Sequence, residues 1–569
     1  MSTPGGLLLA LAVLLPFVGM LLGLAVGGGH VRRIAFVTLL AGLGIAIGIS
    51  QAWLRAGELE YLLGDWSPPL GIALRADGPA VAMILAVAFV VCGIALYARA
   101  DFDTPVGSTE SRAAFTYWLL LLAVWGSLNL VFVSGDLFTL YVALELLTFA
   151  GVPLVCLAGS GETLRAALRY LLFALCGSVL YLLGAVLLYG GYGTLDMRLL
   201  ADVVAGEPIA WTALALMTVG LLAKTALFPL HIWLPPAHGG APAAASAVLS
   251  ALVIKGSWFL VLRLWCDVMP GVAGATAAQL LGGLGAAAIV VGSVVALRQQ
   301  RLKLLVAYST VAQIGYLFLM FPMALTAQGV VDGAVAAGIL QAISHATAKA
   351  GMFMAAGLVY AALGHDRIDD LAGAARALPI AVLAFLVGGV ALMGVLPSGA
   401  YLAKKLLLDA ADGSGQWAWT WVLQGGAAFT AGYVVLILVR VLGRPSQPLA
   451  ASKPVSMLSQ WAALGLSLAS LGLALTAVIG PLPATLISNP LSPKDLGNTL
   501  AVLAGGALLA WGLARRPLFA ATSGGALRGS TLVLARGVEQ VDHFIRRWPT
   551  AMVSMLGIAA TFGWLLARA

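Results

Sequence analysis

The sequence predicts an all-α integral membrane protein of about 14 to 16 transmembrane helices, from three observations. Hydrophobic residues make up 61% of the 569-residue chain, charged residues only 9%, and mean hydropathy is +1.01. Apolar runs long enough to cross a bilayer, roughly 20 residues each, follow one another from end to end. Basic residues gather on alternate connections, an asymmetry that orients membrane helices. The formal charge of +8 therefore reads as an orientation signal spread over many loops, and no nucleic-acid partner is expected. The four cysteines, Cys92, Cys156, Cys176 and Cys266, lie far apart without metal, haem or disulfide spacing. Without a nucleotide loop or nucleophile constellation either, the chain is expected to hold no cofactor and no metal, and to do no chemistry on a bound substrate.

Spanning runs, interrupted by Gly, Pro and charge, fall at about 5 to 27, 33 to 54, 78 to 99, 113 to 133, 137 to 158, 164 to 190, 208 to 235, 242 to 266, 276 to 298, 303 to 323, 330 to 363, 378 to 408, 417 to 442, 457 to 480, 498 to 514 and 549 to 567. Sixteen crossings put Arg32, Arg33, Arg298, Arg301, Lys303, Arg367, Arg440, Arg515, Arg516 and others on one side. The other side receives only Arg55, Arg75, Arg198, Lys494 and Arg568. The first run lacks a preceding basic residue and is followed by His30, Arg32 and Arg33, the reverse of a signal peptide, so a retained helix with its N-terminus outside is expected. Glu58 to Pro79 alternates apolar positions around Gly64, Pro68, Pro69 and Gly71, as a small external hairpin would. Residues 527 to 548 bring Leu534, Val538, Val541, Ile545 and Trp548 round at helical spacing, with Arg536, Glu539, Asp542, Arg546 and Arg547 elsewhere. That pattern fits an amphipathic helix on the cytoplasmic surface, or equally a loop helix packed on the bundle.

Charges inside the apolar runs point to function. Glu145, Lys224, Lys255, Lys349 and Lys404 all lie within spanning segments. At about 2.5 to 3.5 kcal/mol for each ionised side chain at mid-bilayer, such residues face the interior, pair with one another and mark ion or proton paths. A carboxylate raises a buried lysine's pKa and its absence lowers it, so a lysine that changes partner can take up and release a proton. Glu145 is the natural partner for Lys224, and His345 and Lys349 share a helix face at a spacing of four.

Two runs carry breakers beside their lysines. Pro229, His231, Pro235 and Pro236 follow Lys224, while Gly394, Pro397, Ser398 and Gly399 precede Lys404. Proline removes a backbone donor and clashes with the preceding turn, so the seventh and twelfth helices should break within the membrane. Interrupted helices at matching places in two halves mark the ion site of a transporter built from inverted repeats. The breaks lie five spans apart, which fits two inverted five-helix units at 113–266 and 276–442. A three-helix segment (1–112) precedes them and extra helices (450–569) follow. His231 is either part of the ion site or a partner for the carbonyls freed by the break.

The motifs GLLAKTALFPLHIWLPPAH, APAAASAVLSALVIKG, SGDLFTLYVALELLTF, RLKLLVAYSTVAQIGYLFL, SHATAKAGMFMAAG and GVLPSGAYLAKKLLL resemble those of the antiporter-like membrane proteins. These are the D-type subunits, and part of the A-type subunits, of Mrp-type cation/proton antiporters, and the proton-pumping subunits of respiratory complex I. The resemblance covers roughly Asp77 to Arg440. It implies that Glu145 and Lys224 form the ion pair of a first half-channel, that Lys255, His345 and Lys349 are the central relay, and that Lys404 ends a second half-channel. His231 falls at the histidine of the broken helix. A lysine at 404 is similar to the D-type subunits of Mrp complexes; the helices beyond about Ala450 are similar to tails of complex I and hydrogenase-linked relatives. Implied partners are other integral membrane subunits, the lipid bilayer, and protons together with sodium or potassium, in the plasma (inner) membrane of a bacterium.

Overall fold

The computed structural model describes residues 2–103, 111–326, 328–444, 453–475, 493–516 and 525–568. The apolar runs fold as helices: α1 (Leu7–Val26), α2 (His30–Ala56), α3 (Gly78–Asp101), α4 (Arg112–Val133), α5 (Leu137–Cys156), α6 (Gly161–Tyr192) and α7 (Pro208–Thr225). A short α8 (Leu234–Gly240) precedes α9 (Ala243–Val268), α10 (Ala275–Leu297), α11 (Leu302–Ala324) and α12 (Asp332–Leu363). The chain continues through α13 (Pro379–Leu392), α14 (Gly399–Gly413), α15 (Trp417–Leu442), α16 (Met457–Leu475), α17 (Pro493–Leu513), α18 (Gly525–Ile545) and α19 (Trp548–Leu566). Among the described residues fifteen helices are long and apolar enough to cross a membrane. The twelfth expected run is divided between α13 and α14, so the chain is a multi-pass membrane protein with two kinds of crossing, continuous and broken. The end of the fourteenth expected run (476–480) and the side chain of Lys494 lie outside the described residues.

Capping explains several boundaries. Asp77, Asp136, Ser160 and Ser398 each accept a hydrogen bond from a backbone N–H in the first turn of α3, α5, α6 and α14, satisfying a donor that the helix leaves open. The segment before α3 pairs Leu59–Leu62 (β1) antiparallel with Ala73–Ala76 (β2). Arg75 on β2 bonds Glu60 and Asp196, both at 2.8 Å, which fastens the hairpin to the connection after α6.

The ion pairs separate the two sets of connections. Arg75 and Arg198 meet Glu58, Glu60 and Asp196 at one end. At the other, Arg298 and Arg515 meet Glu539, Arg301 meets Asp366, and Arg440 and Arg516 meet Asp369. This second end is the basic face that the alternation of loops requires.

An 18-residue stretch of helix α9 is buried throughout. Two stretches of it, Leu249–Val253 and Arg263–Val268, are wound as π-helix, which the apolar pattern does not announce. Such wider turns recur at functional sites because they shift the side chains that follow. Lys255 comes directly after the first.

Helix α7, which carries Lys224, is held close to α6 by Gly220 facing Gly177. A Cβ on either would run into the other's carbonyl oxygen. Close approach of small residues is the usual means of packing helices in lipid. Gly220→Val should destabilise the bundle by about 1 to 3 kcal/mol through overpacking, read as a lower thermal midpoint and lower yield of folded protein in detergent.

Candidate functional site

The first break lies between α7 and α8. Helix α7 stops at Thr225, and Ala226 takes a left-handed conformation (φ 60°) that a residue with a Cβ rarely adopts. The carbonyls released there are satisfied by protein groups: Ala223 O accepts from Trp233 Nε1 at 2.9 Å, and Leu222 O from the Leu227 N–H at 3.1 Å. Broken backbone at membrane depth persists only with such compensation. Because Trp233 fills this role, His231 is available for another partner. Its Nε2 sits 2.7 Å from Asp542 Oδ1 on α18.

Lys224, on the last turn of α7, meets the carboxylate expected of it. Nζ lies 3.3 Å from Glu145 Oε1 and donates to Thr148 Oγ1 at 2.8 Å and to Leu144 O at 3.5 Å, all on α5. Lys224 is buried and Glu145 half-buried. One residue on, Thr225 Oγ1 bonds Ser257 Oγ at 2.8 Å, tying the end of α7 to α9 just past Lys255.

Lys255 donates to Ser250 O at 2.9 Å, a carbonyl of the π-wound turn, and contacts His345 Nδ1 on α12. His345 therefore pairs across helices with Lys255, rather than along its own helix with Lys349. Lys349 reaches α11 instead, donating to Val306 O at 3.2 Å and bonding Ser309 Oγ. Lys255, His345 and Lys349 are all fully buried. Among the described residues no carboxylate forms an ion pair with either of these lysines; carbonyls, a hydroxyl and an imidazole surround them.

The region between Lys349 and Lys404 is polar as well. Tyr433 on α15 meets Ser309 through its hydroxyl and accepts from Gln313 Nε2 at 3.4 Å. Gln313 also donates to Thr430 at 3.2 Å, and its Oε1 accepts from Gln341 Nε2 at 3.2 Å. Gln341 then shares a small cavity with Tyr316 and Lys404, which is half-buried on α14 just past the second break. There Gly394 turns the chain with φ 63°, and Ser398 Oγ accepts from the Tyr401 N–H at 3.0 Å.

Sequence reasoning missed Thr148, Ser309, Gln313, Gln341, Tyr433 and Asp542. A signal for most of them was present. Gln341, His345 and Lys349 stand four apart on α12, Ser309 and Gln313 four apart on α11, and Thr148 one turn from Glu145. Polar residues aligned in an otherwise apolar helix are costly enough to be informative. Asp542 had no such signal, since its partner is 311 positions away. Of the charges with a structural role, Asp136 caps α5 and Asp366 binds Arg301. Buried His238 stacks on Phe353, ring centroids 4.7 Å apart.

Comparison with known proteins places this geometry. The membrane-domain family described as NADH:quinone oxidoreductase/Mrp antiporter matches residues 134–430. The chain is 32% identical to NADH-quinone oxidoreductase subunit N of Desulforudis audaxviator, over 75% of this chain and 84% of that protein. It is 27% identical to the D subunit of the Na(+)/H(+) antiporter of Bacillus subtilis, over 71% and 81% respectively. In fold it is similar to a chain of the Mrp complex from a Dietzia species (TM-score 0.75, 21% identity, 88% of this chain and 99% of that one). It is similar likewise to a chain of respiratory complex I from Thermus thermophilus (TM-score 0.65, 25% identity, 83% and 98%). Both structural neighbours belong to multisubunit membrane assemblies. With more than half of its length matched, the chain belongs to the NADH:quinone oxidoreductase/Mrp antiporter membrane family.

Proposed function

We propose that this protein is a proton-translocating subunit of a multisubunit membrane complex, of the kind found in Mrp-type monovalent cation/proton antiporters. The observation that carries the reading is the buried series itself. Glu145 and Lys224 sit beside one broken helix and Lys404 beside another, with Lys255, His345 and Lys349 between them. Units 113–266 and 276–442 are inverted copies in this reading, each with its fourth spanning segment broken.

Lys224, held by Glu145 and Thr148, takes or releases a proton as its carboxylate contact tightens or loosens. The proton crosses by Lys255 and His345, whose nitrogens are in direct contact, to Lys349. It then reaches Lys404 through groups that Ser309, Tyr433, Gln313 and Gln341 orient. The amides do not themselves carry the proton; they hold hydroxyls and water in line. The lysine at 404 and the Bacillus subtilis relative favour coupling to sodium or potassium. A second reading, the membrane arm of a redox-driven or uptake complex, is favoured by the 32% identical subunit N relative. Both readings use the same proton path and differ in what drives it.

Lys224→Ala and Glu145→Ala, in complexes assembled at normal levels, should each lower cation-driven pH change in everted membrane vesicles at least about a hundredfold. Unchanged signals would exclude the path. A hydrogen bond is worth roughly 0.5 to 1.5 kcal/mol, so Gln313→Leu should slow proton flux about two- to tenfold. It should leave the amount of assembled complex near normal, as membrane-extract immunoblots would show.

A further inference from the structure

Helix α18 turns Glu539, Asp542 and Arg546 toward the bundle together with Ala535 and Val538, while Arg536 and Arg547 stay exposed. Glu539 pairs with Arg298 at 2.9 Å and Arg515 at 3.1 Å, and Asp542 is buried against α7–α8 and α11. Leu534, Val541 and Phe544 are exposed on the outside. Asp542 is tightly specified: Oδ1 faces His231 Nε2 at 2.7 Å, while Oδ2 accepts from Tyr308 Oη at 3.1 Å and Arg546 Nε at 2.9 Å. Burial alone would raise its pKa, but His231 and Arg546 outweigh that and hold the carboxyl below the usual range.

A cavity of about 540 Å³ at the basic face has Asp542 and Tyr308 in its lining. Charged groups reach it from every side: Glu162, Arg165 and Arg169 from α6, Arg301 before α11, Arg515 after α17, and Glu539, His543 and Arg546 from α18. At about 30 Å³ per molecule the cavity has room for many waters. His231 lies behind Asp542, fully buried, and among the described residues its Nδ1 has no hydrogen-bond partner.

Resting on the proton-translocation reading above, we propose that Asp542 is a relay carboxylate for the first broken helix, exchanging protons between cavity water and His231. With Asp542 ionised, neutral His231 donates its Nε2 proton to Oδ1 and leaves Nδ1 bare as the acceptor. A proton arriving at Nδ1 from the interior makes an imidazolium beside the carboxylate. The Nε2 proton then passes to Oδ1 and on to water, leaving neutral imidazole protonated at Nδ1 and an ionised Asp542. The reverse sequence brings a proton in. Tyr308 and Arg546 are positioning residues, holding Oδ2 so that Oδ1 stays on the imidazole.

The test uses the full chain in its native complex, reconstituted in liposomes under an imposed membrane potential, with an entrapped pH dye reporting flux per assembled complex. Asp542→Asn keeps the size of the side chain and loses its proton-carrying function. It should cut flux at least about tenfold. Asp542→Glu should recover part of the loss, and Asp542→Asn combined with His231→Gln should be no slower than either alone. A normal flux per assembled Asp542→Asn complex would overturn the proposal, as would losses that multiply in the double variant. Tyr308→Phe, which removes only one bond to Oδ2, provides the decision if Asp542→Asn complexes do not assemble. It should displace the pH profile of flux, and an unmoved profile would count against the relay. Lys224→Ala separates the two levels: flux lost there but kept in Asp542→Asn sinks the relay alone, whereas flux kept in Lys224→Ala sinks the translocation reading beneath it.

Discussion

The structure depends on compensating charge inside a bilayer. Each ionised side chain at mid-membrane carries a cost of a few kcal/mol, and the protein meets it differently at each lysine. Lys224 has a carboxylate in Glu145 and a hydroxyl in Thr148. Lys255 has a π-turn carbonyl and an imidazole, and Lys349 a carbonyl and a serine. At Lys255 the accepting carbonyl belongs to a π-wound turn, where the regular helix ladder is shifted, whereas Lys224 and Lys349 take carbonyls of the uninterrupted helices α5 and α11. The same need fits the burial of α9 around Lys255, where an 18-residue stretch is buried throughout.

The breaks are stable for the same local reasons. Trp233 takes the carbonyl that α7 releases and Ser398 caps the restarted α14. With those groups satisfied, His231 is left to bond α18 rather than its own helix end. The C-terminal segment is thereby bonded to the first broken helix. Its packed face is mixed, with Glu539, Asp542 and Arg546 beside Ala535 and Val538, and Leu534, Val541 and Phe544 are left outward.

The fold was readable from sequence because lipid permits so few backbone solutions; apolar length, proline and the alternation of arginines located the crossings and both breaks. The Glu145–Lys224 pair was readable because only one glutamate lies inside a spanning run. The partner of His345 was not, since helix spacing favours Lys349 and only the crossing of α9 and α12 brings Lys255 to it. The Gln313–Gln341 link was written in the sequence, with Gln341 one turn from His345 and Gln313 one turn from Ser309, yet amides carry no formal charge to draw notice. Asp542 was hidden for a different reason. Its amphipathic pattern fits equally a helix on the membrane surface and one packed on the bundle, and nothing local says which side meets the bundle.

The central claim is that the buried lysines exchange protons rather than serve as fixed charges. Arginine keeps the positive charge and the donors but does not release its proton in a protein. Proton flux through reconstituted complexes carrying Lys255→Arg tests the distinction most directly. Proton exchange at Lys255 predicts an assembled complex whose flux is lost. Flux equal to that of the unaltered protein would contradict it and make Lys255 a structural charge.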